Sequence, residues 1–276
     1  MRKFLLLLVF AILTPLCFAQ SEVEWKTADN WNIKATFLPS KNGKMVILLH
    51  DLGRTREDYK NFTKRLENET FGYLAFDLRG HGKSTNLGTY NGFKKTGTDN
   101  EYNQMVRDVE GAINFLNSKG YKTEDIFIIG AGLGANVAAK AVGLNPQIAG
   151  LGLLTPGLKT KDVLSMGGIK MYKNPVMIAV GSVDRKPMME ANLLRNAAFL
   201  SSGQGKVLFL TAYELAGTKM LDRYLTSNVI WWLKQPALPE VLPDIPNFKE
   251  NKEIEITYSE NKEEEEIIHL GTPSVL

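Results

Sequence analysis

The chain has 276 residues, 44% of them hydrophobic and 23% charged, with a single cysteine. That composition excludes a disordered, collagen-like or coiled-coil chain and leaves no disulfide framework, while thirteen Phe, nine Tyr and four Trp supply bulky apolar surface for one large core. The formal charge of +3 is unevenly spread, because residues 237–276 hold ten acidic residues against three lysines, so a basic body precedes an acidic tail. No nucleic-acid motif or aromatic-basic stripe accompanies the basic body, and its scattered lysines read as a solvated surface rather than a nucleic-acid footprint.

In chain order, Arg2 and Lys3 precede an apolar run over residues 4–13, and Cys17 and Ala19 place small residues at −3 and −1 of a cleavage site. This predicts a signal peptide over residues 1–19, an exported protein in a periplasm or outside the cell, and no stable membrane span after its removal. The apolar run is too short for a comfortable membrane anchor. Leu16, bulky and directly before Cys17, argues against lipid attachment.

Residues 22–27 and 31–38 alternate apolar and polar side chains around Ala28, Asp29 and Asn30, which predicts an antiparallel hairpin. The pattern then changes to short, nearly continuous apolar runs at 45–49, 72–76, 126–129, 149–154, 176–180 and 207–210, as expected of parallel strands buried on both faces. Helices are predicted between them, over 57–69, 101–119, 135–144, 187–200 and 218–233. The fold class is therefore α/β, a doubly wound, mostly parallel sheet with an N-terminal antiparallel hairpin. Only about twenty residues separate the runs ending at Leu154 and starting at Val176, too few for a large lid, so any pocket should be shallow. The expected organisation is a signal peptide over 1–19, one domain over 20–236, and a flexible acidic, Pro- and Glu-rich tail over 237–276 whose natural partner would be a basic protein or the chain's own basic surface.

Three strand ends carry a family likeness. Residues 48–53 (Leu-Leu-His-Asp-Leu-Gly), 76–84 (Phe-Asp-Leu-Arg-Gly-His-Gly-Lys-Ser) and 129–134 (Ile-Gly-Ala-Gly-Leu-Gly) resemble the third, fourth and fifth strand ends of the α/β-hydrolase superfamily, especially its dienelactone-hydrolase-like and serine-esterase-like members. The resemblance runs from about Glu22 to Leu233. It implies a G-x-S-x-G elbow with a serine nucleophile after the fifth strand, an acid after the seventh and a histidine after the eighth. Here the elbow's centre is Gly132, the acid position is Asp184, and Ala216 stands where His would precede Gly-Thr. Nucleophile and base are both missing from the implied triad, so acyl-enzyme chemistry at Gly132 is excluded. The oxyanion donors that the likeness implies are the backbone N–H of Leu133 with that of Asp51 or Leu52.

Of the three histidines, His50 and His81 lie in the strand-end motifs and read as structural, and His269 lies in the tail. No metal site or cofactor is expected. The expectation is a hydrolase-fold pseudoenzyme binding a small acyl or ester-like ligand or a protein. Two alternatives remain open: an active esterase using another nucleophile, for which Ser84 and Ser182 are the chemical candidates, and a dinucleotide-binding oxidoreductase. Gly130, Gly132 and Ala135 fit G-x-G-x-x-A, but residues 149–157 supply no acidic ribose ligand.

Overall fold

The structure, a computed structural model, describes residues 19–237. The segments expected to be a signal peptide and an acidic tail lie outside these residues, apart from Ala19 and Ala237.

The first two strands, β1 (Ser21–Lys26) and β2 (Asn32–Leu38), pair antiparallel with Trp25 opposite Ile33, as the alternation predicts. Their turn is closed by Thr27, whose hydroxyl accepts from Trp31 N–H at 2.9 Å, and by Asn30 at a positive φ of 70°. β3 (Met45–Leu49) leads through a 3-10 turn into α1 (Lys60–Asn68), followed by β4 (Gly72–Phe76). Every residue of β3 and β4 is buried, which is why both read as unbroken apolar runs.

The helix predicted over 101–119 is interrupted at Met105 into α2 (Glu101–Gln104) and α3 (Val106–Ser118). The physical reason lies elsewhere in the chain. Asn103 at the break gives its side-chain N–H to Asp162 O at 3.1 Å, and its carbonyl accepts from Lys140 Nζ at 3.1 Å, so long-range partners compete with the helical ladder.

Beyond it come β5 (Ile126–Ala131), α4 (Leu133–Leu144), β6 (Gly150–Leu154), the two-residue strands β7 (Lys159–Thr160) and β8 (Val163–Leu164), and α5 (Met166–Met171). The chain then forms β9 (Val176–Gly181), α6 (Arg185–Ser202) and β10 (Val207–Ala212). The helix predicted over 218–233 contains a π-helical stretch, Leu221–Leu225, before α7 (Thr226–Lys234).

Eight strands form one sheet in the order β1-β2-β4-β3-β5-β6-β9-β10, parallel from β4 to β10, while β7 and β8 pair separately. Side chains of alternate residues feed two cores. Met45, Ile47 and Leu49 pack with α3 to α6 on one face, and Val46 and Leu48 with Phe62 and Leu66 of α1 and Val229 and Trp232 of α7 on the other. The doubly wound reading therefore holds, and between β6 and β9 only the small β7-β8 hairpin and α5 intervene.

The loop after β4 is held by buried charge. Asp77 accepts from the backbone N–H of Arg56 and of Lys83, each at 2.9 Å. Arg79 is 1% exposed and donates to Asp108 at 2.8 Å and to Asp29 of the β1-β2 turn at 2.6 Å. Burial opposes ionisation of Asp29, but the Arg79 and Thr27 hydrogen bonds win and hold its carboxyl down at about 2.

Candidate functional site

The C-terminal ends of β3, β5, β6 and β10 converge on one region of the sheet edge. β5 ends at Ala131 and α4 starts at Leu133, so the chain reverses on Gly132 alone, with φ 51° and ψ −116°. A residue with a side chain would hold that conformation at a cost of about 1–3 kcal/mol. Gly130 and Gly134 serve packing instead, since a Cβ on Gly130 would lie 2.2 Å from Gly134 O and one on Gly134 2.5 Å from His50 O. Close strand-to-helix contact thus accounts for the glycine spacing that also fits a dinucleotide fingerprint.

Opposite the elbow, β3 ends in His50 and Asp51. His50 is fully buried; its Nε2 accepts from Leu78 N–H at 3.0 Å, so the ring is neutral and Nδ1–H donates to the carbonyl of Asp51 at 2.7 Å. Burial drives its pKa down to about 4 against the opposing pull of the Asp51 carbonyl. The imidazole is structural. It fixes the peptide that presents Asp51.

The Asp51 carboxylate turns back over the elbow. Its Oδ1 accepts from the N–H of Leu52 and from that of Leu133, each at 2.7 Å. Leu133 is the first residue of α4, so the positive end of the helix dipole adds to the attraction. Two amides aimed at a single oxygen at this distance have the geometry of an oxyanion hole. Of the two alternatives for the second donor, the geometry presents Leu52. Leu52 and Leu133 are brought together as donors, but Asp51 enters as the occupying anion, through its side chain.

The carboxylate also fills the place of a side chain at Gly132. A Cβ built there would meet Asp51 Oδ1 at 2.0 Å, Cγ at 2.1 Å and Oδ2 at 2.3 Å. Sequence reasoning missed this occupant, although an acidic residue at a position assigned an oxyanion amide was the available signal.

Beside Asp51 opens a cavity of about 360 Å³ bordered by Arg54, Thr155, Glu214, Ala216 and Thr218. Arg54 is already engaged in a two-pronged ion pair with Asp58, at 2.6 and 2.7 Å. Thr155, at a φ of 51°, accepts from Gly217 N–H at 2.8 Å and so ties the end of β6 to the loop after β10. Ala216 stands on the cavity wall as a methyl group. Asp184 is exposed at the N-terminus of α6, does not line the cavity, and caps no amide of its helix. Of the three positions that the family likeness implies for a triad, Ala216 borders the cavity that Asp51 lines beside the elbow at Gly132, and Asp184 does not.

The two serines considered as substitute nucleophiles are elsewhere. Ser84 is buried with its Oγ accepting from Lys34 N–H at 2.9 Å, and Ser182 is exposed outside the cavity lining. His81 is buried, its ring stacked on Tyr90 at 4.3 Å, with its pKa lowered by burial. Among the described residues no group of three or more His, Cys, Asp or Glu could hold a metal ion, and no helix is long and apolar enough to cross a membrane.

Residues 40–218 match the model of the serine aminopeptidase family S33. The chain belongs to this family. Over 115 residues it is also 30% identical to protein phosphatase methylesterase 1 of Candida albicans, a match covering 41% of the chain and 29% of that protein, so the chain spans under a third of that relative's length. Among solved structures it resembles an esterase of Pyrococcus furiosus, with a TM-score of 0.66 and 20% identity over 80% of this chain and 92% of that one. It also resembles a dienelactone hydrolase of Anabaena variabilis, with a TM-score of 0.63 and 12% identity over 79% and 98% of the two chains. These likenesses carry the α/β-hydrolase fold.

Proposed function

We propose that this chain is an exported α/β-hydrolase-fold pseudoenzyme, a module that binds a small ligand or a protein without acyl transfer. One observation carries the reading: Asp51 Oδ1 accepts both convergent amides, and its carboxylate occupies the space where a side chain at the elbow would begin. In a working hydrolase of this fold those amides are empty until charge develops on the substrate oxygen, and the elbow carries the attacking hydroxyl. Here a fixed anion already holds the amides. An incoming ester carbonyl would have to displace a carboxylate bonded at 2.7 Å before gaining any stabilisation. Gly132 offers no hydroxyl to attack it and Ala216 no nitrogen to take a proton.

The test is exposure of the purified protein to a serine-directed fluorophosphonate, followed by intact mass. No stoichiometric adduct is expected. An adduct mapped to a cavity hydroxyl such as Thr155 or Thr218 would overturn the reading in favour of an active hydrolase. Restoring chemistry requires vacating the amides as well as rebuilding the triad. Gly132→Ser with Ala216→His pushes the Asp51 carboxylate off the amides but leaves its charge beside them, so only weak labelling is expected, rising once Asp51→Gly removes the carboxylate. Export is supported by the basic start and apolar run of residues 1–19; N-terminal sequencing of the secreted product should begin at Gln20. For the acidic tail a basic protein partner is proposed, with binding that weakens as salt rises.

A further inference from the structure

A second cavity lies well away from the elbow, where α4, α5, the β7-β8 hairpin and the loop before α2 meet. It measures about 330 Å³ and shares no lining residue with the Asp51 cavity. Three apolar side chains on its walls are open to solvent: Leu144 is 58% exposed, Leu164 54% and Met171 65%. Gly143, Gly167 and Gly168 also line it, and α4 and α5 approach so closely that a Cβ on Gly168 would fall 1.8 Å from Ala139 O.

One cation is set into this wall. Lys140 lies half-buried along α4, and its Nζ donates to the backbone oxygen of Asn103 at 3.1 Å and to its side-chain oxygen at 2.9 Å. Both partners are neutral. No carboxylate among the described residues pairs with Lys140. Asp162, the acid on the same wall, is committed to Gly97 N–H at 2.7 Å and to Lys159 Nζ at 3.3 Å. An ammonium has three N–H donors, and two are used here. Asp99, next in the chain to the lining residue Thr98, is likewise paired, to Lys94 at 3.0 Å.

We infer that this groove binds an anionic amphiphile of the free fatty-acid class, its carboxylate on Lys140 Nζ and its alkyl chain along Leu144, Leu164 and Met171. A carboxylate supplies the counter-ion that the half-buried ammonium lacks, and the chain covers three apolar side chains now facing water. Desolvation already shifts the lysine's pKa below its ordinary value. The site is independent of the Asp51 cavity and of the pseudoenzyme reading.

The probe is decanoate, used below its micelle-forming concentration and titrated calorimetrically into the full chain, with decanol and decyltrimethylammonium as matched controls. Saturable one-to-one binding of decanoate is expected, at least about tenfold tighter than either control. Lys140→Met, which keeps length and apolarity, should weaken decanoate about tenfold while leaving decanol unchanged. Leu164→Ser, on the exposed hairpin, should weaken both, and it keeps the test informative if the lysine variant folds poorly. Equal affinity for decanoate and decanol would overturn the proposal, as would unchanged binding in Lys140→Met or no binding by the parent chain. A dimer in sedimentation that excludes decanoate would also overturn it, by assigning the groove to a second copy of the chain.

Discussion

Gly132→Ala tests the steric exclusion between Asp51 and the elbow, because its cost divides into two parts. The positive φ imposes about 1–3 kcal/mol on any side chain, and this part does not depend on Asp51. The second part arises because the new Cβ would sit 2.0 Å from Asp51 Oδ1. The carboxylate relieves that clash by swinging away and giving up its hydrogen bonds to Leu52 and Leu133. Each is charge-assisted, but Asp51 is only half-buried, so losing both costs about 2 kcal/mol rather than the full value of two buried bonds. The single variant should therefore lose about 3–5 kcal/mol. Asp51→Ala alone should lose about 2 kcal/mol, for the same two bonds. The double variant loses them only once, so the cycle should show a coupling of about 2 kcal/mol. Urea denaturation of the four proteins, with matched slopes, measures it. Additivity within about 0.5 kcal/mol would refute the argument, since the two groups would then not compete for one space.

Acid should act against the native state at its buried imidazole. His50 titrates near 4 in the native chain against 6.5 when unfolded, so between those values the unfolded state holds a proton that the native state lacks. The imidazole's contribution should be complete above pH 6.5 and lost, by about 3 kcal/mol, as the pH drops to 4, read as the difference between the parent and His50→Asn in urea midpoints at each pH, because the raised pKa of buried Asp108 acts in the opposite direction in both proteins. Arg79→Met should cost about 3–5 kcal/mol in the same assay, because it leaves the Asp108 carboxylate buried beside an apolar side chain. Along α5, Gly167→Ala meets open space and should stabilise by up to about 1 kcal/mol, whereas Gly168→Ala drives a methyl into Ala139 O and should lower the melting temperature sharply.

The sheet was legible because burial on both faces writes itself into composition. The runs at 45–49 and 72–76 coincide with β3 and β4, and the alternation around Asp29 coincides with the β1-β2 hairpin. The elbow at Gly132 was legible because closely spaced glycines after an apolar run mark a tight strand-to-helix turn. What escaped depends on contacts between distant segments. The break at Met105 follows from Lys140 and Asp162 reaching Asn103, and no local propensity in residues 101–119 encodes it. The π-helical stretch at Leu221–Leu225 likewise hides in a run that reads as ordinary helix. The role of Asp51 escaped because strand-end motifs fix where a backbone goes, while a side chain's direction depends on the space left beside it. Only the missing Cβ at position 132 opens that space.

The same exclusion makes the order of amino-acid replacements matter along any evolutionary route between this chain and a serine-bearing relative. With Asp51 folded over the amides, a serine at 132 arrives into occupied space and brings strain, so that single step yields a less stable protein. Starting instead from Asp51 exposes empty amides and gains nothing by itself. Either route crosses an intermediate with a loss and no compensating benefit. The 2.0 Å that would separate a Cβ at 132 from Asp51 Oδ1 thus works as a ratchet, because positions 51 and 132 can exchange their side chains only together.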